Sequence, residues 1–340
     1  MTRPRAVLAM NPPGLPGSLF DENAFARLRR AADIDTGLVL TELESARSRE
    51  ALAGADILVA GWNAPVVRAA HLPYVSRLRA VVYAGGVAAT CLEDPESFAA
   101  RGVVAANARA ANSVPVAEYT LAMILLAGKR ALPAARAYRR SRSVPDHPAT
   151  HSVPGNYRQT VGIVGASTVG RAVLALLRSF DVDVLLYDPT LTAEEAIGLG
   201  ARPVPLDELM RSSHVVSLHQ PLTPRTRGQI DAGLLALMRD GATLVNTARG
   251  AVVDQDALTA ELRSGRIDAV LDVTDPEPLP ADSGLWSLDN VVLTPHLAGS
   301  MGGELHRIGD AVVDEVERFA SGRPFAHPED LAASAHARVR

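Results

Sequence analysis

Arg249, Glu277 and His296 are the residues of this 340-residue chain best suited to chemistry, and each follows a short apolar run. They lie in the segments NTARG (246–250), LDVTDPEPLP (271–280) and TPHLAGS (294–300). An imidazole titrates near neutral pH and passes a proton in either direction. A carboxylate hydrogen-bonded to the ring, as Glu277 would be, favours the imidazolium form. A guanidinium offers a planar fork to an anionic group and polarises a nearby carbonyl. Together they suit proton transfer to a carbonyl oxygen on a substrate held by its carboxylate. Singly, each has an ordinary alternative: a surface ion-pair partner at 249, a loop carboxylate between prolines at 277, a turn histidine after Pro295. Three such residues ending three strands of one sheet weigh against those alternatives, because open α/β sheets bind ligands at the carboxyl ends of their strands.

A second constellation lies upstream. VGIVGASTVG (161–170) reads as strand, tight turn and helix, with Gly165, Ser167 and Gly170 at the three positions of a G-x-G-x-x-G turn. The first glycine permits the turn and the third lets the helix lie close on the strand. Ser167 replaces the second, and with Thr168 and Val169 it opens a helix whose amides and dipole suit a diphosphate. Alone this motif is weak. Asp188 strengthens it, ending the strand Val184–Tyr187 18 residues past Gly170, close to the offset of about 20 at which a carboxylate accepts ribose hydroxyls. A carboxylate there repels a 2′-phosphate, and Pro189, Thr190 and Leu191 bring no cation. NAD is therefore expected in preference to NADP.

The elements that must carry these groups alternate between short apolar runs and helical patterns, the form of a helix-covered parallel sheet. In the first third, strands are read at Ala6–Met10, Ile57–Ala60, Arg79–Tyr83 and Val103–Ala105, with helices at Ala24–Ala32 and near Ala64–Ala70. Val114–Arg130 reads as a long apolar helix, and Arg139–Arg158 as a loop. The second series has strands at Val161–Val164, Val184–Tyr187, Val215–Leu218, Thr243–Asn246, Ala269–Val273 and Val291–Thr294. Helices are expected at Thr168–Ser179, Leu206–Ser212, Ala232–Met238 and Asp256–Ser264, the last capped by Gly265. A final helix, roughly Gly302–Ser321, is expected to return to the first third.

Length suits two domains, and a net charge of −4 with mixed signs gives no reason to expect nucleic acid or an anionic membrane as partner. The single cysteine, Cys91, excludes a disulfide framework and reads as a buried apolar residue. The run Ala6–Met10 is too short for a signal peptide, and no stretch reads as approaching the length of a membrane span. A soluble, cytoplasmic protein is expected. No histidine pair has metal-ligand spacing, so no metal is expected.

With these motifs in order, the chain resembles the D-isomer-specific 2-hydroxyacid dehydrogenases. The resemblance runs from about Asn107 to Ser300 through ANSVPVAEYTLA, the nucleotide turn, VVSLHQPLTPRTRG, NTARGAVVD, LDVTDPEP and LTPHLAG. It implies that Arg249 binds substrate, His296 is the acid/base and Glu277 tunes it. The glutamate separates the chain from formate dehydrogenases, where the histidine is paired with glutamine. His219, Thr247, Ala248, Asp272 and His296 are expected to line the cofactor, with Asp272 near the nicotinamide. Gly85 and Gly86, in VVYAGGVAAT, are expected to hold the substrate carboxylate, although a plain turn is a close alternative and the usual Asp/Asn pair after the glycines is missing. Thr168 departs from the arginine that the family often has near the diphosphate.

The expected fold is α/β: two doubly wound parallel-sheet domains, with a Rossmann NAD-binding domain (108–296) inserted in a discontinuous, flavodoxin-like substrate domain (1–107 and 297–340). The site is expected between them, and the helix near Val114–Leu126 to form a homodimer contact. The chain ends soon after Pro324, which leaves no room for the extra regulatory domain of many phosphoglycerate dehydrogenases. A small 2-keto/2-hydroxy acid pair is the expected substrate. A corepressor-like NAD sensor on the same fold is the alternative, and an L-specific dehydrogenase is disfavoured because its nucleotide turn would stand near the N-terminus.

Overall fold

The computed structural model describes residues 3–143 and 155–334. They form two compact units, one made of the segments up to Asn112 and from Ser300 onward, the other spanning Ser113–Gly299.

The first unit is a six-stranded sheet in the order β13-β5-β4-β3-β1-β2. Its strands are β1 (Arg5–Ala9), β2 (Asp33–Leu40), β3 (Ile57–Ala60), β4 (Ala80–Tyr83), β5 (Val104–Asn107) and β13 (Pro328–Glu329). All pairs are parallel except β13 on β5. β3 is buried at every residue, as a central parallel strand with both faces covered must be. One face packs Leu8, Ile57, Val59 and Val82 against Leu28 of helix Glu22–Ala31 and against Ile308, Val312, Val313 and Val316 of helix Leu305–Ala320. The final helix thus returns to the first third. Gly309 lets it do so, since a Cβ there would lie 1.9 Å from the Leu19 carbonyl oxygen.

The second unit is a seven-stranded sheet in the order β12-β11-β10-β9-β6-β7-β8. It comprises β6 (Gln159–Val164), β7 (Val182–Tyr187), β8 (Arg202–Pro203), β9 (Val215–Leu218), β10 (Thr243–Asn246), β11 (Asp268–Leu271) and β12 (Val291–Leu293), every neighbouring pair parallel. Strand order reverses between β6 and β9, which is the switch point where such sheets take ligands. Helix Arg109–Gly128 packs Ala117 and Ile124 on Val161, Ile163, Val215 and Val245. Gly265, at φ 74°, caps helix Gln255–Ser264 as expected.

Several expectations need correction. β2, β8 and β13 escaped the sequence pattern: β2 is an edge strand of alternating exposure containing Asp33, Asp35 and Gly37, and β8 and β13 are two residues long with a proline in each. The helix near Ala64–Ala70 is absent; a 3₁₀ turn occupies Ala69–Tyr74 instead. Pro65 biases Ala64 away from helical geometry, and Val67 bridges to Leu92. Arg139, Arg140 and Ser141 end a helix that begins at Ala131, while 144–154 of the expected loop lie outside the described residues. Helix Arg109–Gly128 is long and apolar enough, by length and composition, to cross a membrane, although here one side of it is packed on a sheet. Cys91 is buried as expected, and burial pushes its thiol up to about 12.

Candidate active site

β10, β11 and β12 lie side by side with Asn246 opposite Leu271 and Leu271 opposite Leu293. Their carboxyl ends are therefore level, and Arg249, Glu277 and His296 leave from the same edge. Asn246 shapes the first exit: its Oδ1 accepts the Ala248 N–H at 3.0 Å and its Nδ2 donates to the Arg249 carbonyl at 2.9 Å. The exposed Arg249 guanidinium donates to the Ala248 carbonyl. Gly250 then runs against the loop after β11, where a Cβ would lie 2.0 Å from the Thr274 carbonyl.

Asp272 ties the second exit to the third. It is buried, and its carboxylate accepts the Thr294 hydroxyl at 2.6 Å and the N–H groups of Leu297 and Ala298 at 2.9 and 3.0 Å. Thr294 also lies 2.9 Å from the Tyr119 hydroxyl. Between these anchors His296 adopts φ 54°, a left-handed backbone that costs on the order of 1 kcal/mol or more and persists only where its surroundings impose it. Here the His296 N–H is held by the carbonyls of Asp272 and Thr294. Nδ1 lies 2.7 Å from Glu277 Oε1. A carboxylate accepts, so the shared proton belongs to Nδ1, and Nε2 is the nitrogen left to exchange. Thr247 meets Thr120 through their hydroxyls at 2.8 Å.

The nucleotide turn is built to the limit of contact. Gly165 has φ 93°, and a Cβ on it would lie 2.6 Å from the Gln220 amide nitrogen; one on Gly170 would lie 2.2 Å from the Gly165 oxygen. Ser167 caps helix Thr168–Leu177 by accepting the Gly170 N–H at 3.3 Å, which leaves its hydroxyl proton to give. Thr168 is exposed and Val169 half-buried. Asp188 Oδ2 accepts the Ala166 N–H at 2.7 Å, and Oδ1 accepts the Thr190 N–H and hydroxyl at 2.8 and 2.6 Å. Partial burial works to raise this carboxyl, but the bonds from Thr190 and Ala166 and the Arg171 charge hold it below the usual range. Beside Asp188 a half-open cavity of about 380 Å³ is lined mostly by apolar side chains, among them Leu186, Tyr187, Leu191, Pro203 and Val204, in the size range of small-molecule sites. The turn, the capped helix end, the carboxylate and this slot fit a dinucleotide.

His219 lies under the same helix, where a Cβ on Gly170 would come within 3.2 Å of its Cβ. It is buried with Nε2 2.9 Å from the Ser217 hydroxyl, and burial pushes its pKa down to about 3. The unfolded chain takes up this proton near 6.5 and the folded protein only near 3. Between those values the unfolded state binds the extra proton, so stability is full above about 6.5 and falls as pH falls towards 3. A His219→Gln variant is expected to lose part of this acid sensitivity in urea melts across that range; parallel profiles for variant and parent would refute it. Gln220, next in sequence, has a buried amide whose nitrogen and oxygen both lack a partner among the described residues, and nothing in the structure explains it.

In the first unit, the Gly85 N–H turns back onto the Tyr83 carbonyl at 2.8 Å, and Gly86 faces open space. Glu329 fixes the loop's exit by accepting the N–H groups of Ala88 and Ala89 at 2.8 and 3.0 Å, and Arg109 Nε donates to the Gly86 carbonyl at 2.9 Å.

Asn246, Thr294, Ser217, Gln220, Arg171 and Glu329 were not singled out in the sequence as site residues. Asn246 alone carried a readable signal, as the first residue of a polar turn. Thr294 and Glu329 meet partners distant along the chain, Ser217 and Arg171 meet theirs two and five residues away, and no local pattern marks any of them.

A glycine turn at a switch point and a carboxylate ending the next strand define a dinucleotide-binding unit, and a histidine–glutamate pair leaves the same edge. The description "D-isomer specific 2-hydroxyacid dehydrogenase, NAD binding domain" matches residues 121–298, more than half of the chain, and the chain belongs to that family. It is 36% identical over 231 residues to a glyoxylate reductase of Korarchaeum cryptofilum, covering 67% of this chain and 70% of that one. It is 32% identical over 303 residues to a D-3-phosphoglycerate dehydrogenase of Methanocaldococcus jannaschii, covering 88% of this chain and 56% of that one. The chain spans about half the length of the curated phosphoglycerate dehydrogenases it matches. The crystal structure of apo D-mandelate dehydrogenase from Rhodotorula graminis superposes with a TM-score of 0.78 at 25% identity, covering 97% of this chain and 98% of that one.

Proposed function

We propose that this protein interconverts a small 2-keto acid and its D-2-hydroxy acid, using NAD(H). The observation that carries the reading is the 2.7 Å bond between His296 Nδ1 and Glu277, which orients Nε2 for proton exchange on the sheet that bears the nucleotide turn. A nicotinamide dinucleotide, held by the turn Gly165–Gly170 and by Asp188, would supply hydride chemistry in either direction when bound. His296 Nε2 gives a proton to the oxygen as it becomes an alkoxide and removes it in the reverse direction. Glu277 stabilises the imidazolium. Arg249 draws the substrate carboxylate and carbonyl into its fork and stabilises the developing negative charge. Asp272 keeps His296 in place through Leu297 and Ala298. Gly85 and Gly86 belong to the carboxylate-binding loop of the substrate domain, and Ser113–Gly299 is the cofactor domain.

Asp188 supports NAD over NADP, being an anion where a 2′-phosphate would lie. The glyoxylate reductase and phosphoglycerate dehydrogenase relatives support the keto/hydroxy acid class. We further read the protein as cytoplasmic, and as a homodimer through the apolar helix near Val114–Leu126, whose Leu126 is exposed. A corepressor-like sensor would not need the histidine–glutamate pair.

Loss of NADH absorbance with glyoxylate, hydroxypyruvate, pyruvate, phenylpyruvate and longer 2-keto acids tests the reading. Turnover of at least one is expected. NADH binding without turnover of any would overturn the dehydrogenase in favour of the sensor.

A further inference from the structure

The first turn of helix Thr168–Leu177 carries no charge: Thr168, Val169 and Gly170 offer a diphosphate only amides and one hydroxyl. The nearest cation along the helix is Arg171. Helical side chains lean towards the N-terminus, and this one reaches back past its own turn, its Nε donating to the Ala166 carbonyl at 3.0 Å. The N–H of the same Ala166 goes to Asp188 Oδ2 at 2.7 Å. One residue of the nucleotide turn is thus held through its N–H by the expected ribose carboxylate and through its carbonyl by Arg171. That bond uses one of the five N–H donors of the guanidinium. Its two terminal nitrogens have no partner among the described residues, and it forms no ion pair there, although its charge is felt by both Asp188 and Glu195. Arg27, by contrast, spends its terminal nitrogens on Asp310, Asp314 and Glu317, and Arg130 pairs with Asp268. Arg171 is anchored by its inner nitrogen with its outer fork unspent, at the helix end where phosphate oxygens are favoured.

We propose that Arg171 is a phosphate-binding residue of the dinucleotide site, supplying from the second turn the cation that the first turn lacks. This rests on the reading above that the unit binds a nicotinamide dinucleotide. Two phosphates share the required chemistry: the diphosphate common to NADH and NADPH, and the 2′-phosphate of NADPH alone. The second would let the protein accept NADPH in spite of Asp188.

The test titrates NADH and NADPH separately into the full-length protein and into Arg171→Gln and Arg171→Lys, following nucleotide fluorescence, with a thermal melt of each. Arg171→Gln keeps a donor for the Ala166 carbonyl but loses the charge. Loss of one charged hydrogen-bonding partner is expected to raise Kd roughly ten- to a hundredfold, with Arg171→Lys in between and the melts unchanged. A loss shared by both nucleotides assigns the diphosphate, and a loss confined to NADPH assigns the 2′-phosphate. Unchanged affinity for both in Arg171→Gln, with or without a lower melting temperature, would leave Arg171 a structural residue and overturn this proposal alone. Failure of the parent protein to bind either nucleotide would overturn it together with the proposed function.

Discussion

His296→Ala is expected to lower kcat for reduction of a 2-keto acid by about 10²–10⁴-fold, the usual contribution of a positioned general acid, while NADH still binds. The side chain is half exposed and among the described residues bonds only Glu277, so its removal opens no core cavity and the fold should survive. The backbone at 296 is a separate matter. Its φ of 54° is imposed by the carbonyls of Asp272 and Thr294 and by the Asp272 carboxylate on the two following amides. Alanine pays more than histidine to remain in the left-handed region, so a small fall in melting temperature is expected as well. Glu277→Gln separates the two effects, because it leaves the backbone at 296 alone and replaces only the carboxylate hydrogen-bonded to Nδ1. Its kcat should fall less than that of His296→Ala, with no change in melting. Should His296→Ala retain more than about a tenth of parental kcat, the histidine is not the acid.

Gly165→Ala is expected to abolish measurable NADH binding and to destabilise the protein by about 1–3 kcal/mol. Two independent costs meet at this position. The φ of 93° is open to glycine and poor for alanine, and the new methyl would lie 2.6 and 2.8 Å from the Gln220 backbone nitrogen and Cα. Those atoms belong to the chain leaving β9, so no side-chain rotation relieves the contact. Either the turn moves off the sheet or β9 shifts, and both displace the helix end that would hold the diphosphate. Gly198→Ala is the control, with nothing within 4 Å of its added Cβ and no positive φ. Thermal melts and nucleotide fluorescence read both variants. Wild-type NADH affinity in Gly165→Ala would show that the turn does not hold the cofactor.

How much of this was legible beforehand follows from the range of the interactions involved. β6, β7, β9, β10, β11 and β12 were all anticipated as short apolar runs; β9, β10 and β11 are buried at every residue, as central parallel strands covered on both faces must be. β2 was missed because one edge of the sheet lets polar residues alternate along it. β8 and β13, at two residues each, are shorter than any periodicity can register. The helix misplaced at Ala64–Ala70 shows a composition overridden by one proline and a bridge from Val67 to Leu92.

At the site, the sequence alone determined the residue types and the strand ends that carry them. The turn glycines, Asp188, Arg249, Glu277 and His296 were all visible as local motifs, because turns and strand ends are set by neighbours a few positions away. Only the tertiary structure decided how these groups are held. Asp272, expected near the nicotinamide, is also a buried anchor with three protein donors. His219 became a neutral ring on Ser217, and Arg171 emerged with its inner nitrogen anchored and its fork unspent. Hydrogen bonds join residues 22 positions apart at Asp272–Thr294 and at Ala166–Asp188. No pattern along the chain encodes which distant partner a polar side chain will meet, because that is settled only when the strands take their order in the sheet.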